Sequence, residues 1–226
     1  MTGAPNASTA PALDGRWLAV DSATDACSVA LFENGELIAG ELRMLGRGHA
    51  EALVPMIASL PGRGRADRIA VSLGPGSFTG VRVGLAAARA LAFAWNAELV
   101  GYCSLALIAA MARRETGPCP VAVAITGGHG EWFAQEFEAG GTPASSPVSL
   151  PPETAAAAIP QHVVAGNQAE ALVSRRGFGQ AIVAWPDARQ MPLLPQSALL
   201  QDIRPIYGRG PDAKPQAATT PVADAR

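Results

Sequence analysis

Cysteine is scarce in this 226-residue chain: Cys27, Cys103 and Cys119 are an odd number with no CxxC spacing. That argues against a disulfide framework or a zinc knuckle and suits a reducing compartment. Cys27 and Cys119 lie in strand-like apolar runs, where a buried, inert thiol is expected. An excess of basic residues is missing too. With 17 Lys and Arg against 19 Asp and Glu, the formal net charge is -2. A protein that grips nucleic acid alone draws most of its affinity from neutralised phosphates, so any RNA is expected to be held by another subunit. Long apolar runs are absent as well. The longest, Val81 to Trp95, is interrupted by Arg82 and Arg89 and is too short and too charged to span a bilayer. The opening MTGAPNASTAPALDG has neither the basic nor the apolar region of a signal peptide. Together these absences predict a soluble, cytoplasmic protein with no membrane partner.

What is present is a globular composition, 49% hydrophobic and 16% charged, in a chain long enough for one large domain or two small lobes. Residues 1–15, rich in Ala, Pro, Thr and Gly, read as a flexible leader. RWLAVDS, CSVALFE and ELIAGEL then follow as three antiparallel strands, with Asp21 at the first turn. Asn34-Gly35 between the last two supplies the positive φ angles of a tight hairpin. Leu53, Met56, Ile57 and Leu60 recur at i, i+3, i+4 and i+7 and predict a helix over 49–60, with Pro55 kinking it or marking its first turns. RIAVSL is a fourth strand, and GPGSFTG leads into a helix from about Thr79 to Trp95. AELVGYCS is strand-like, followed by a helix from Leu105 to Arg114. Residues 119–126 and 131–138 form a hairpin across GGHG, and a loop occupies 139–160. HVVAGN and QAIVAW are short strands flanking a helix over Ala169 to Arg175, and a last helix covers Gln196 to Ile203. The pattern divides the chain into a leader (1–15), an α/β lobe (16–110), a reduced second copy (111–207) and a mobile tail (208–226).

Four strings stand in order: LAVDSATDACSVALFENGE, GHAEALVPMI, GPGSFTGVRVGLAAARALAF and, near the C-terminus, PIYGR. This series closely resembles the TsaB (YeaZ) family, strongly over residues 16–110 and weakly over 111–210. The resemblance implies the duplicated, ribonuclease H-like α/β fold of actin, sugar kinases and heat-shock ATPases, with the second lobe reduced. Taken physically, Gly74, Gly76 and Gly80 permit a sharp strand-to-helix turn that Pro75 stiffens, and Ser77 or Thr79 can cap the helix. Such a turn can cradle an anion or simply let the helix pack closely on the sheet. There is no lysine of the GxxxxGK[ST] type. Asp21, Gly74, Gly76 and Ser77 are thus candidates for a weak ATP or ADP site, with no firmly bound cofactor or metal expected.

In active members of this fold class an acid after the first strand of each lobe positions metal and phosphates, and the resemblance places Asp21 in the first position. At the second, where many TsaB sequences carry aspartate, stands Thr126. A neutral hydroxyl cannot hold a divalent cation as a carboxylate can. Asp21 alone serves equally well as a structural acceptor. His49, His129 and His162 form no HxxxH or HExxH pair of the kind the catalytic relative TsaD uses, and no nucleophile elbow is present. No catalytic residue is assigned. The resemblance implies a non-catalytic partner of a TsaD-type subunit, joined by a TsaE-type ATPase, in a complex that moves a threonylcarbamoyl group onto the adenosine beside the tRNA anticodon. It leaves open a homodimer in the absence of TsaD, and contact with tRNA comes only through the complex. A stand-alone ATP-binding enzyme of the same fold and a metallopeptidase-like hydrolase are the alternatives. The expected partner surface is the helix pair 49–60 and 79–95, through Met56, Ile57 and Leu60 on the first and Gly80, Gly84, Ala88 and Leu91 on the second.

Overall fold

The structure is a computed structural model and describes residues 13–208. Strands β1 (Arg16–Asp21), β2 (Ala26–Glu33) and β3 (Glu36–Met44) form an antiparallel meander. Asn34 at φ 48° and Gly35 at φ 83° make the tight turn, a two-residue geometry whose twist matches that of the flanking strands. Helix α1 (His49–Ser59), strand β4 (Arg68–Ser72), helix α2 (Phe78–Trp95) and strand β5 (Glu98–Tyr102) follow. β4 and β5 join parallel to β1, so the sheet order is β3-β2-β1-β4-β5. Helix α3 (Ser104–Thr116) leads to a second sheet of β6 (Val121–Thr126), β7 (Trp132–Phe137), β8 (Val148–Leu150), β9 (Val163–Ala165) and β10 (Gln180–Ile182). Its order, β10-β9-β6-β7-β8, repeats the first: three antiparallel strands, then two parallel ones. Helices α4 (Pro152–Ala158) and α5 (Ala169–Arg176) occupy the chain positions of α1 and α2. The fold is therefore the same βββαβαβ unit twice. The second copy is reduced, its last three strands having three residues each against nine, five and five in the first.

Two predicted segments differ. The supposed loop 139–160 contains β8 and α4. Pro152 at the first helical position, Glu153 in the first turn and a run of alanines start and propagate that helix. The helix expected over 196–203 is only a 3-10 turn at Gln196–Ala198. Beyond it Leu200 exchanges two backbone hydrogen bonds with Gly101 on the outer edge of β5, so this stretch is extended. Cys27 is buried on β2, as expected, whereas Cys119 is half-buried just before β6 and pairs with the Thr116 hydroxyl. Of the presumed leader, Leu13 is buried beside Trp17, and Gly15 exchanges hydrogen bonds with Asn34. Residues 1–12 and 209–226 lie outside the described part. The boundary placed between 110 and 111 falls inside α3.

The core has four layers. α1 and α2 cover one face of the first sheet, where Leu53, Met56, Ile57, Val81 and Leu85 meet Leu18, Val20, Val29, Leu31, Ile69 and Val71. α3 lies between the sheets: Leu107 and Ala110 pack toward Trp17, Phe32 and Val100, while Leu105, Ile108 and Ala112 pack toward Val121, Val123 and Val163. Each Leu, Ile, Val or Phe among them, fully buried, contributes about 1.5–3 kcal/mol. α4 and α5 close the far face of the second sheet through Ala155, Ala169 and Leu172. The chain then returns to the first lobe. The 3-10 turn Ala188–Leu193 packs Met191 onto that sheet, the Ser28 hydroxyl bonds Pro186 and Ala188, and Ile206 N–H donates to the Leu73 carbonyl.

Candidate functional site

A cleft of about 290 Å³ opens between the lobes, lined by Ala23, Thr24, Asp25, Gly76 and Ser77 on one side and Thr126, Gly127, Gly128 and Asn167 on the other. The first wall is made of two turns pressed together. A Cβ on Gly76 would lie 1.9 Å from the Ala23 carbonyl oxygen, and one on Gly80 would lie 2.1 Å from that of Ser22. Only glycine allows the start of α2 to rest on the β1–β2 turn this closely. Ser77 N–H donates to the Ala23 carbonyl at 2.6 Å, the Ser22 hydroxyl donates to the Gly80 carbonyl at 2.9 Å, and the Ser77 side chain caps α2 by accepting from Gly80 N–H. On the far side of the same turn, His49 Nε2–H at the first position of α1 donates to the Thr24 carbonyl.

The duplication makes the ends of β1 and β6 equivalent, and these ends are Asp21 and Thr126. Thr126 is exposed, and its hydroxyl oxygen accepts from Asn167 Nδ2 at 2.9 Å and Gln168 Nε2 at 2.8 Å. With both lone pairs used, it has one O–H to offer the cleft. Asp21 is fully buried and does not line the cleft. It accepts from Ala23 N–H at 3.0 Å and from the Ser104 hydroxyl at 3.2 Å. Burial pushes its carboxyl up to about 7, against the opposing pull of the Ala23 N–H and the Ser104, Ser72 and Tyr102 hydroxyls. Of the four cofactor candidates, Gly76 and Ser77 therefore face the cleft, while Asp21 and the buried Gly74 support it from behind. The described lining contains hydroxyls, an amide, backbone and the Asp25 carboxylate, with no basic side chain. His49, His129 and His162 lie on three different segments. Among the described residues no three His, Cys, Asp or Glu side chains gather as a metal site.

The expected partner residues are turned the other way. Met56, Ile57 and Leu60 are 0%, 3% and 6% exposed. Gly80, Gly84 and Ala88 are buried on the same sheet, and Leu91 packs against that core. A Cβ on Gly84 would lie 2.5 Å from the Ser22 hydroxyl and 3.7 Å from Val71, so the small-residue stripe serves contact within the chain. This corrects the sequence expectation. The exposed large apolar residues on these helices are Val54, Phe78 and, at 92%, Phe93. A signal for that outer face was available: Arg82 and Arg89, two helical turns apart, mark the solvent stripe of α2, and Phe93 follows one turn later. Arg82 also lies 3.5 Å over the Phe78 ring, beside the Tyr207 side chain of the PIYGR string. No helix among the described residues is long and apolar enough to cross a membrane.

With this geometry in hand, known proteins are comparable. A profile of the family described as TsaD: tRNA N6-adenosine threonylcarbamoyltransferase matches residues 43–151, from the end of β3 through α3 to just past β8. The tRNA threonylcarbamoyladenosine biosynthesis protein TsaB of Escherichia coli is 36% identical over 128 residues, 54% of this chain and 55% of that protein. The match thus spans about half the length of that curated relative. Two solved structures extend the likeness across the whole fold. A Pseudomonas aeruginosa protein described as having similarity to peptidase YeaZ is 30% identical, with TM-score 0.73 over 87% of this chain and all of its own. YeaZ from Pseudomonas aeruginosa is 30% identical, with TM-score 0.70 over 85% of this chain and 99% of its own. Sequence identity and shared fold over nearly the full length of a solved YeaZ establish that the chain belongs to the TsaB (YeaZ) family.

Proposed function

We propose that this protein is a non-catalytic subunit in the biosynthesis of threonylcarbamoyladenosine in tRNA, and that it binds and activates a TsaD-type transferase. The observation that carries the reading is its membership of a family whose curated relatives are named for this biosynthesis. A TsaE-type ATPase joins the pair, and tRNA is reached through the complex, in keeping with a net charge of -2. The absence of catalysis by this subunit is supported by Thr126, a neutral group with its lone pairs already engaged, at the end of β6.

The docking surface is the outward face of α1 and α2, with Val54 and Phe93 as its apolar anchors. A phenylalanine left 92% exposed on the solvent stripe of α2 suits an interface centre, where a few large residues dominate affinity. The experiment is co-purification of the full chain with a TsaD-type transferase, followed by assay of tRNA modification. Phe93→Asp is expected to weaken the complex at least tenfold and to lower modification in proportion, with the melting temperature unchanged. Normal complex formation by a folded Phe93→Asp, Val54→Asp double variant overturns the assigned face. Failure of the wild-type chain to bind or stimulate the transferase overturns the function. Modification by this chain without the transferase overturns its non-catalytic role.

A further inference from the structure

Beneath the cleft runs a line of buried polar groups. Asp21 and Ser104 are fully buried, Ser72 is 2% exposed, and among the described residues no basic side chain contributes to the environment of Asp21. The two oxygens of Asp21 reach different parts of the fold. Oδ1 accepts from Ala23 N–H, which fixes the β1–β2 turn, and Oδ2 accepts from the hydroxyl of Ser104, in the first turn of α3. Ser104 Oγ is hydrogen bonded to Ser72 Oγ, which accepts from Gly74 N–H at 3.1 Å in the glycine-rich turn. One continuous chain therefore links both turns of the first cleft wall to the helix between the lobes. We propose that the Asp21–Ser104–Ser72 chain is a proton-operated latch that sets the relative positions of these two turns.

The hydrogen-bond arithmetic supports two states. With Asp21 ionised, Ser104 donates to it, Ser72 donates to Ser104, and Gly74 N–H donates to Ser72, so every donor is used. With Asp21 protonated on Oδ2, its own O–H donates to Ser104 and the direction of the chain reverses. Ser104 then donates to Ser72, whose proton must find another acceptor beside the Gly74 turn. The thiol and phenol groups around Asp21 stay protonated near neutrality. Burial pushes the Cys27 thiol on β2 up to about 12 and the Cys103 thiol up to about 11, and it raises the Tyr102 hydroxyl on β5 well above its usual range. Asp187, on the segment packed beyond Tyr102, is held by Arg189. Asp25 is exposed, and His49 on α1 bonds the Thr24 carbonyl across the turn, so a His49 variant serves as the control. Burial pushes the Asp21 carboxyl itself up to about 7.

The test is a pH titration from 5.5 to 8.5 of the full chain labelled with 13C and 15N. It follows the Asp21 carboxyl carbon and the amide signals of Ala23 and Gly74. All three are expected to move with one midpoint near 7. Asp21→Asn should flatten both amide curves, while His49→Gln should leave them intact. If Asp21→Asn does not fold, Ser104→Ala decides, because it cuts the chain in the middle: the Gly74 step should vanish while that of Ala23 persists. An Asp21 carboxyl that does not titrate in this range overturns the proposal. So does a Gly74 amide that ignores the transition, or a step that survives Asp21→Asn.

Discussion

Replacing Gly80 by alanine sets two effects of opposite sign against each other. In an exposed helix interior the change stabilises by about 1 kcal/mol, because glycine loses more backbone freedom on folding. Here the new Cβ would lie 2.1 Å from the Ser22 carbonyl oxygen and 3.3 Å from the carbonyl carbon. These are main-chain atoms, which cannot rotate aside, so α2 must lift from the β1–β2 turn. Overpacking of this kind costs about 1–3 kcal/mol. Lifting the helix also breaks the buried bond from the Ser22 hydroxyl to the Gly80 carbonyl, worth about 1 kcal/mol net. The propensity gain roughly cancels the hydrogen-bond loss, leaving a destabilisation of about 1–3 kcal/mol. For a chain of this size that is a fall of roughly 2–12 °C in melting temperature. Urea unfolding followed by circular dichroism measures it, with Gly128→Ala as control, since no atom lies within 4 Å of a Cβ built there. A Gly80→Ala protein as stable as wild type, or more so, would show that propensity governs this position and would refute the close-approach argument.

Met56→Ala should cost about 2–5 kcal/mol, because Met56 is fully buried between α1 and the sheet, and should weaken partner binding only through lost folding. Calorimetry beside a binding titration separates the two effects. Asp21 has a folded-state value near 7, above the ordinary carboxylate range, so its contribution to stability is complete below about pH 4 and is lost as pH rises to about 7. Relative to Asp21→Asn, the wild type should therefore lose about 1.4 kcal/mol per pH unit across that window; parallel urea-stability profiles for the two proteins would rule this out. Gly35→Ala should cost about 1–2 kcal/mol through strain at φ 83° alone, since its Cβ meets nothing within 4 Å. A melting curve checks that figure, and an unchanged melting point would contradict it.

The first lobe was legible in the sequence because its local signals agree with one another. Asn34-Gly35 fixes a hairpin, Gly74 to Gly80 fixes a strand-to-helix turn, and Leu53, Met56 and Ile57 fix a helix face. β8 and the extended stretch at Leu200 were not legible. Each is short, and each forms because a neighbouring strand, β7 or β5, offers a free edge. The direction of the α2 stripe was misread for a different reason. A helix apolar nearly all round gives no contrast between core and interface, and small residues at Gly80, Gly84 and Ala88 suit a close crossing with a sheet as well as with a helix. What decides is the position of the Ser22 carbonyl and hydroxyl, which belong to a turn more than fifty residues earlier. The cleft was half legible. The Gly76 and Ser77 turn was marked out in advance, as was the absence of a carboxylate at Thr126. The pairing of Thr126 with Asn167 and Gln168 depends on β9 and α5 coming to rest beside β6.

The return of the chain from β10 to the first sheet bears on how the protein is made. The first lobe is discontinuous: Ser28 waits for Pro186 and Ala188, Gly101 for Leu200, and Leu73 for Ile206. During synthesis from the N-terminus, a chain made only through β5 therefore lacks every later segment that covers Trp17 and Phe32, on the sheet face turned toward α3. It also holds an open β5 edge. The second lobe must be made before the segment that seals the first can arrive. The reduced copy thus acts as a tether between the two pieces of its larger twin, and completion of the first lobe waits until Ile206 has been made.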